Sequence, residues 1–197
     1  MNAALNELEH LSLCVMAQVL LHTQALPVQL WRSPAHINQA LGTAPRHAWI
    51  VRRWLAALSR TGVVRDDGER LAWQGTPPQA AVGELPRLYA TLGFPANMAF
   101  LHTQVIECLP ALLRDHIALA PLLLQAGDPV AVLGAYQQNH FTTAINQALA
   151  ARAREVSAAG DRLRVLELGG GAGYTTRAVL AALEDREKDY RFTDIST

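Results

Sequence analysis

Cysteine is scarce in this sequence: Cys14 and Cys108 are the two in 197 residues. Both sit in apolar, helix-patterned stretches at a spacing that suits neither a disulfide framework nor a metal site. They are expected as buried, reduced thiols. Charge is sparse as well, with 17 Lys and Arg balanced by 17 Asp and Glu. A formal net charge of zero excludes a whole-molecule basic field for nucleic acid or an acidic membrane, leaving only local patches. No uninterrupted apolar run is long enough to cross a bilayer. The N-terminal MNAALNELEHLSLCVMAQVLL lacks a basic leading region and carries Glu7, Glu9 and His10, so it reads as an amphipathic helix and not a signal peptide. The expected setting is cytoplasmic. The seven histidines are dispersed, with no pair at the i, i+4 spacing of a helical metal site. No metal is expected, and no Ser-His-Asp or Cys-His arrangement, internal repeat or low-complexity tract is evident. What the chain does have is apolar material, half of its residues, which is enough to build a core.

Leu5, Leu8, Leu11, Val15, Met16, Val19 and Leu20 recur every three or four residues and predict a helix with one buried face. SPAHINQALG then offers a cap at Ser33, proline at the first helical position and a stop at Gly42. In AWIVRRWLAALSRTGVV, Ile50, Val51, Trp54, Leu55 and Leu58 form an apolar stripe, with Arg52, Arg53 and Arg60 left for solvent. Trp49 and Trp54 are expected as core anchors. VVRDDGERLAW reads as two short strands joined at Asp67-Gly68. That order of elements predicts a winged-helix-like module. Its DNA-binding reading sets the Arg52 helix in a major groove, but Asp66, Asp67 and Glu69 at the wing tip oppose phosphates. A packing or dimerisation role is favoured, and no nucleic-acid or membrane partner is expected.

The proline pair and two glycines between Trp73 and Pro86 mark a linker. The expected organisation is a helical, winged-helix-like module over 1–75, a linker over 76–86, a helical lid or connector over 87–160 and an α/β unit over 161–197. The connector is expected to be interrupted at Pro95, Pro110, Pro121 and Gly127-Asp128-Pro129, and its last helix to end at Gly160.

The clearest signal is LRVLELGGGAGYTTRAVLAAL, Leu163 to Leu183. An apolar run ends in a carboxylate, Glu167, followed by Gly169, Gly171 and Gly173 and then a helical pattern. Strand, glycine turn, helix opens a nucleotide-binding α/β unit. Glycine permits positive φ there and lets a ligand touch backbone. A dinucleotide fingerprint G-x-G-x-x-G starting at Gly169 would need glycine where Tyr174 stands, and other starts fail too. The pattern present is E-x-G-x-G-x-G, the loop of class I S-adenosylmethionine-dependent methyltransferases. About twenty residues on, DYRFTDI reads as a second strand ending at Asp194, where a carboxylate can accept two hydrogen bonds from vicinal ribose hydroxyls.

LRVLELGGGAGYTTRAVLAAL followed by YRFTDIS resembles the carbon-methyltransferase domains of polyketide synthases and hybrid polyketide–peptide synthetases. CLPALLRDHIALAPLL and YQQNHFTTAINQALAA upstream are similar to the same family. The resemblance is specific in the last thirty or so residues. Before Pro86 it is loose, and small-molecule O-methyltransferases with a dimerising winged helix look equally similar. It implies a mainly α N-terminal region followed by the start, strand–helix–strand, of a class I methyltransferase Rossmann-like fold, with S-adenosylmethionine as cofactor. Glu167, Gly169, Gly171 and Gly173 would line its methionine end, Asp194 would hold its ribose, and Tyr136 would close over it. Tyr174 stands where the family often has glycine and would narrow the loop's mouth.

The implied activity is methylation of the α-carbon of a β-ketoacyl chain on an acyl carrier protein. The family's sheet has seven strands, and its general base lies in the later ones. The chain is therefore expected to be a truncated domain, inert alone, with no catalytic residue assigned. It would be completed by a C-terminal remainder or a second chain, with a homodimer as a further option. The alternatives are an O-methyltransferase fragment and a non-catalytic winged-helix regulator or scaffold.

Overall fold

The computed structural model describes residues 1–125, 129–157 and 162–195. The expected breaks at Gly127-Asp128 and the helix stop at Gly160 lie outside the described residues. Helix α1 spans Asn2–His22, α2 Pro34–Leu41 and α3 Ala48–Arg60, followed by strands β1 Val64–Asp66 and β2 Leu71–Trp73. Local chemistry sets these limits. Ser33 caps α2 by accepting from the His36 N–H, and Gly42 closes it in the left-handed region at φ 67°. The hairpin pairs Val64 with Trp73 and Asp66 with Leu71. Asp67 Oδ1 accepts from the backbone N–H of Glu69 (3.0 Å) and Arg70 (2.7 Å) in the turn. The α1–α2 connection joins this hairpin through a two-way backbone bridge between Arg32 and Leu71.

Leu20, Leu26, Ile37, Leu41, Val51 and Leu58 make the first core. Trp54 is in it, as expected, but Trp49 is not: it is 50% exposed, with the Arg53 guanidinium 5.4 Å from its ring centre. Five residues along a helix rotate a side chain about 140° away, so one face cannot hold both. Leu5 is also exposed, and Cys108 is only partly buried while Cys14 is fully so.

A second core is built where Leu11 and Val15 of α1 meet Leu85, Leu88, Tyr89 and Leu92 of α4, Leu85–Leu92. Helix α1 therefore serves both cores. The proline- and glycine-rich stretch before α4 ends in a 3-10 turn at Val82–Glu84, and Pro86 lies inside α4's first turn. Helix α5, Ala96–Leu113, runs on through Pro110, and α6, Leu119–Gln125, through Pro121, so neither proline interrupts its helix. Pro121 sits in a first turn, where an N–H has no intrahelical partner to lose. Pro110 is one turn from its helix end and removes a single bond.

After α7, Pro129–Ala135, comes α8, His140–Val156, then β3, Leu163–Leu168, α9, Tyr174–Ala182, and β4, Lys188–Thr193. Strands β3 and β4 are parallel, with Leu163 opposite Lys188 and Leu168 opposite Thr193. Arg154 of α8 grips the turn after α9 through Asp185 (2.6 and 2.8 Å) and the Ala182 carbonyl (2.6 Å). Among the described residues, no helix is long and apolar enough to cross a membrane.

Candidate functional site

The parallel pair forces the loop after β3 to the carboxyl end of the sheet, beside the end of β4. Three glycines there take positive φ: Gly169 at 70°, Gly171 at 56° and Gly173, the N-cap of α9, at 75°. A side chain at any of these would be strained. The loop is pinned by the Gly170 N–H donating to the Thr193 carbonyl (3.0 Å) and by the Gly171 N–H donating to Asp194 Oδ2 (2.8 Å). Gly170, which the alternate-glycine reading passed over, is constrained by contact. A Cβ there would run into the Phe192 ring. Among the described residues, the space beside Gly169 is open, and Gly171 faces only the Gln137 side chain at 3.7 Å.

The sequence-predicted carboxylates flank this turn. Glu167 Oε2 accepts from the Thr176 hydroxyl (2.6 Å) on α9 and the Tyr190 hydroxyl (2.7 Å) on β4. Burial and the adjacent Glu167 carboxylate push the Tyr190 phenol up to about 12. It therefore stays a donor near neutrality and fixes Glu167's orientation. Asp194 sits across the loop on Gly171.

Tyr136 comes from elsewhere, the connector between α7 and α8. Asn139 fastens that connector by capping α8 at the Thr142 N–H (2.9 Å) and donating to the Tyr136 carbonyl (2.8 Å). The end of α7, just before the connector, lies against the turn: a Cβ on Gly134 would come 2.9 Å from the Tyr174 ring and 3.0 Å from Ala172. Thr175 at the start of α9 donates to Asn146 of α8 (2.9 Å), which ties the two helices at the same end. Tyr174 does not project over the glycines alone. Its ring packs on Gly134, under the Arg177 guanidinium at 4.3 Å, and helps line a cavity of about 400 Å³ with Gln137, His140 and Asn146.

The Tyr136 hydroxyl meets His102 Nε2 at 2.8 Å, and His102 Nδ1 meets the Tyr89 hydroxyl. Nothing in the sequence marked this chain of groups, because its members are 13 and 34 residues apart and follow no motif. Burial holds the His102 imidazole below its ordinary pKa of 6.5 and pushes Tyr89 up to about 12.

These residues fit S-adenosylmethionine. Open backbone at Gly169 and Gly171 can admit a ligand to van der Waals contact, two carboxylates stand on either side, and the Gln137 amide reaches the loop with its Oε1 buried and unpaired. Among the described residues, no group of three or more His, Cys, Asp or Glu could hold a metal ion.

No family model matches the chain. It is 28% identical over 176 residues to pyochelin synthetase PchF of Pseudomonas aeruginosa, covering 83% of this chain and 10% of that protein. It is 30% identical over 183 residues to polyketide synthase ThaQ of Burkholderia thailandensis, covering 82% of this chain and 9% of that one. Among solved structures, the DszA carbon methyltransferase superposes with a TM-score of 0.78 at 24% identity, over 98% of this chain and 53% of that one. The chain thus spans about a tenth of each of these two curated relatives and about half of the solved domain.

Proposed function

We propose, on the premise that this chain shares the fold of the carbon-methyltransferase domains of polyketide synthases, that its glycine turn binds S-adenosylmethionine for carbon methylation. The observation that carries the reading is the parallel β3–β4 pair, which sets Gly169, Gly171 and Gly173 against Asp194 at one end of the sheet. When bound, the cofactor supplies a sulfonium methyl group to a nucleophilic carbon.

The chain's own residues bind and orient. Gly169 and Gly171 give backbone access to the methionine end, and Glu167, held by Thr176 and Tyr190, places negative charge beside its ammonium. Asp194 accepts from the ribose hydroxyls, with the Gly171 N–H keeping its carboxylate in place. Tyr136 covers the site from the connector. Exclusion of water by that cover strengthens each of these contacts.

The substrate under this reading is a β-ketoacyl chain on an acyl carrier protein, methylated at its acidic α-carbon. Leu166 and Leu168 leave one apolar face of the sheet exposed, Leu168 by 76%. Further helices and strands, from the same polypeptide or a second chain, would cover that face and the sheet edge and bring the proton-abstracting base. Residues 1–75 act as a winged-helix-like packing or dimerisation module, 76–86 as its link, 87–160 as the lid and 161–197 as the cofactor unit.

Calorimetric titration with S-adenosylmethionine tests the reading. Saturable binding, weakened about tenfold by Asp194→Ala through loss of a charge-assisted hydrogen bond, supports it. Binding indifferent to that substitution, or no binding by folded protein, removes the half-site as drawn.

A further inference from the structure

His102 belongs to α5, outside the glycine turn, yet it touches the residue that covers the site. Its ring stands between Tyr89 of α4, 6% exposed, and Tyr136 of the connector, 46% exposed. The three rings form a continuous line, with centroids 5.3 Å and 5.7 Å apart. Tyr89 and His102 also wall an otherwise apolar cavity of about 270 Å³, with Leu11, Val15, Trp54 and Ile106.

A neutral imidazole donates from one nitrogen and accepts at the other, so the line has a direction. If Tyr136 donated to Nε2, then Nδ1–H would donate to Tyr89, and the Tyr89 O–H would turn towards the apolar cavity as an unpaired donor. The opposite direction avoids that cost. Tyr89 O–H donates to Nδ1, Nε2–H donates to the Tyr136 oxygen, and the Tyr136 O–H is left to donate outward.

Resting on the cofactor reading above, we propose that His102 is a positioning residue which, with Tyr89, presents the Tyr136 hydroxyl as a fixed donor to the carboxylate of the ligand's amino-acid end. Two placements support that target. Gln137, the next residue, reaches Gly171, and Gly134, two residues earlier, packs on Ala172 and Tyr174. The end of α7 and the connector therefore lie along the part of the turn assigned to the methionine end. Tyr89 is buried at 6% exposure, and burial lowers the His102 pKa, so its imidazole is neutral near pH 7. The relay accordingly holds one direction near pH 7.

The test uses the full chain and two ligands with an uncharged sulfur: S-adenosylhomocysteine, which has the amino-acid end, and 5′-methylthioadenosine, which lacks it. Tyr136→Phe and His102→Leu should each weaken the first about tenfold and leave the second unchanged. The double variant should lose no more than either single one, because both remove the same donor. His102→Gln, which can accept and donate, should recover part of the loss, and Tyr89→Phe should weaken the same ligand selectively. Equal weakening of both ligands, or additive losses, would overturn the proposal by making His102 a purely structural residue.

Nitrogen-15 NMR of His102 in the unliganded protein gives a second, ligand-independent readout, in which Nε2 carries the proton. An Nδ1–H tautomer overturns the relay. If the unsubstituted chain bound neither ligand, the cofactor reading would fall while this spectrum still decided the direction of the relay.

Discussion

At Gly170 one hydrogen atom separates a turn that closes on the sheet from one that cannot. A methyl group there would enter the Phe192 ring, while the backbone bond from Gly170 to Thr193 holds the loop in place. Gly170→Ala should therefore cost about 1–3 kcal/mol as an overpacked contact, read as a lower midpoint in urea. Phe192→Ala in the same chain should recover much of that loss; failure to do so would place the strain elsewhere. The contrast with its neighbours explains what was legible. Gly169, Gly171 and Gly173 could be read because local backbone conformation requires glycine whatever the tertiary setting. Gly170 requires it because of a ring on another strand. Glu167 was legible as a strand-end carboxylate, but its anchoring by Thr176 and Tyr190 depends on the packing of α9 and β4. His102 stood among seven dispersed histidines until the fold brought two tyrosines to its nitrogens. Trp49 was read as buried because its residue type outweighed its position on the helix.

At the scale of elements, caps and turns were readable where a single side chain or a positive φ specifies them, as at Ser33, Gly42 and Asp67-Gly68. Prolines misled where helix position decides their effect, as at Pro110 and Pro121. No local pattern announced the clamp between α8 and the turn after α9. There the Arg154 guanidinium beside Asp185 holds that carboxyl at about 2, below its ordinary 3.8. A depressed carboxyl pKa stabilises the fold above the unfolded value and ceases to do so as pH falls through the folded one. This contribution is thus complete above about pH 4 and disappears from 3.8 down towards about 2. Both partners are exposed, so salt should screen it and its size should be modest. Urea midpoints measured from pH 5 to pH 2 should fall less steeply in Arg154→Met than in the unsubstituted chain. Parallel curves would show that the pair contributes nothing.

Across the whole molecule, two cores share α1, and the glycine turn meets the helical region at the end of α7 and the connector after it. Under the proposed relay, the helical region acts on the site through the line from Tyr89 by way of His102 to Tyr136. The arrangement also leaves the sheet face of Leu166 and Leu168 exposed. The central claim is that one cofactor site is assembled from three separated segments: the turn at Gly169–Gly173, the end of β4 at Thr193–Asp194 and the connector at Tyr136–Asn139. Amide hydrogen exchange with and without S-adenosylmethionine tests this most directly. The account predicts added protection in those three segments together, with α2, α3 and the β1–β2 hairpin unchanged. Protection centred on the hairpin and α3, with none at the glycine turn, would contradict it.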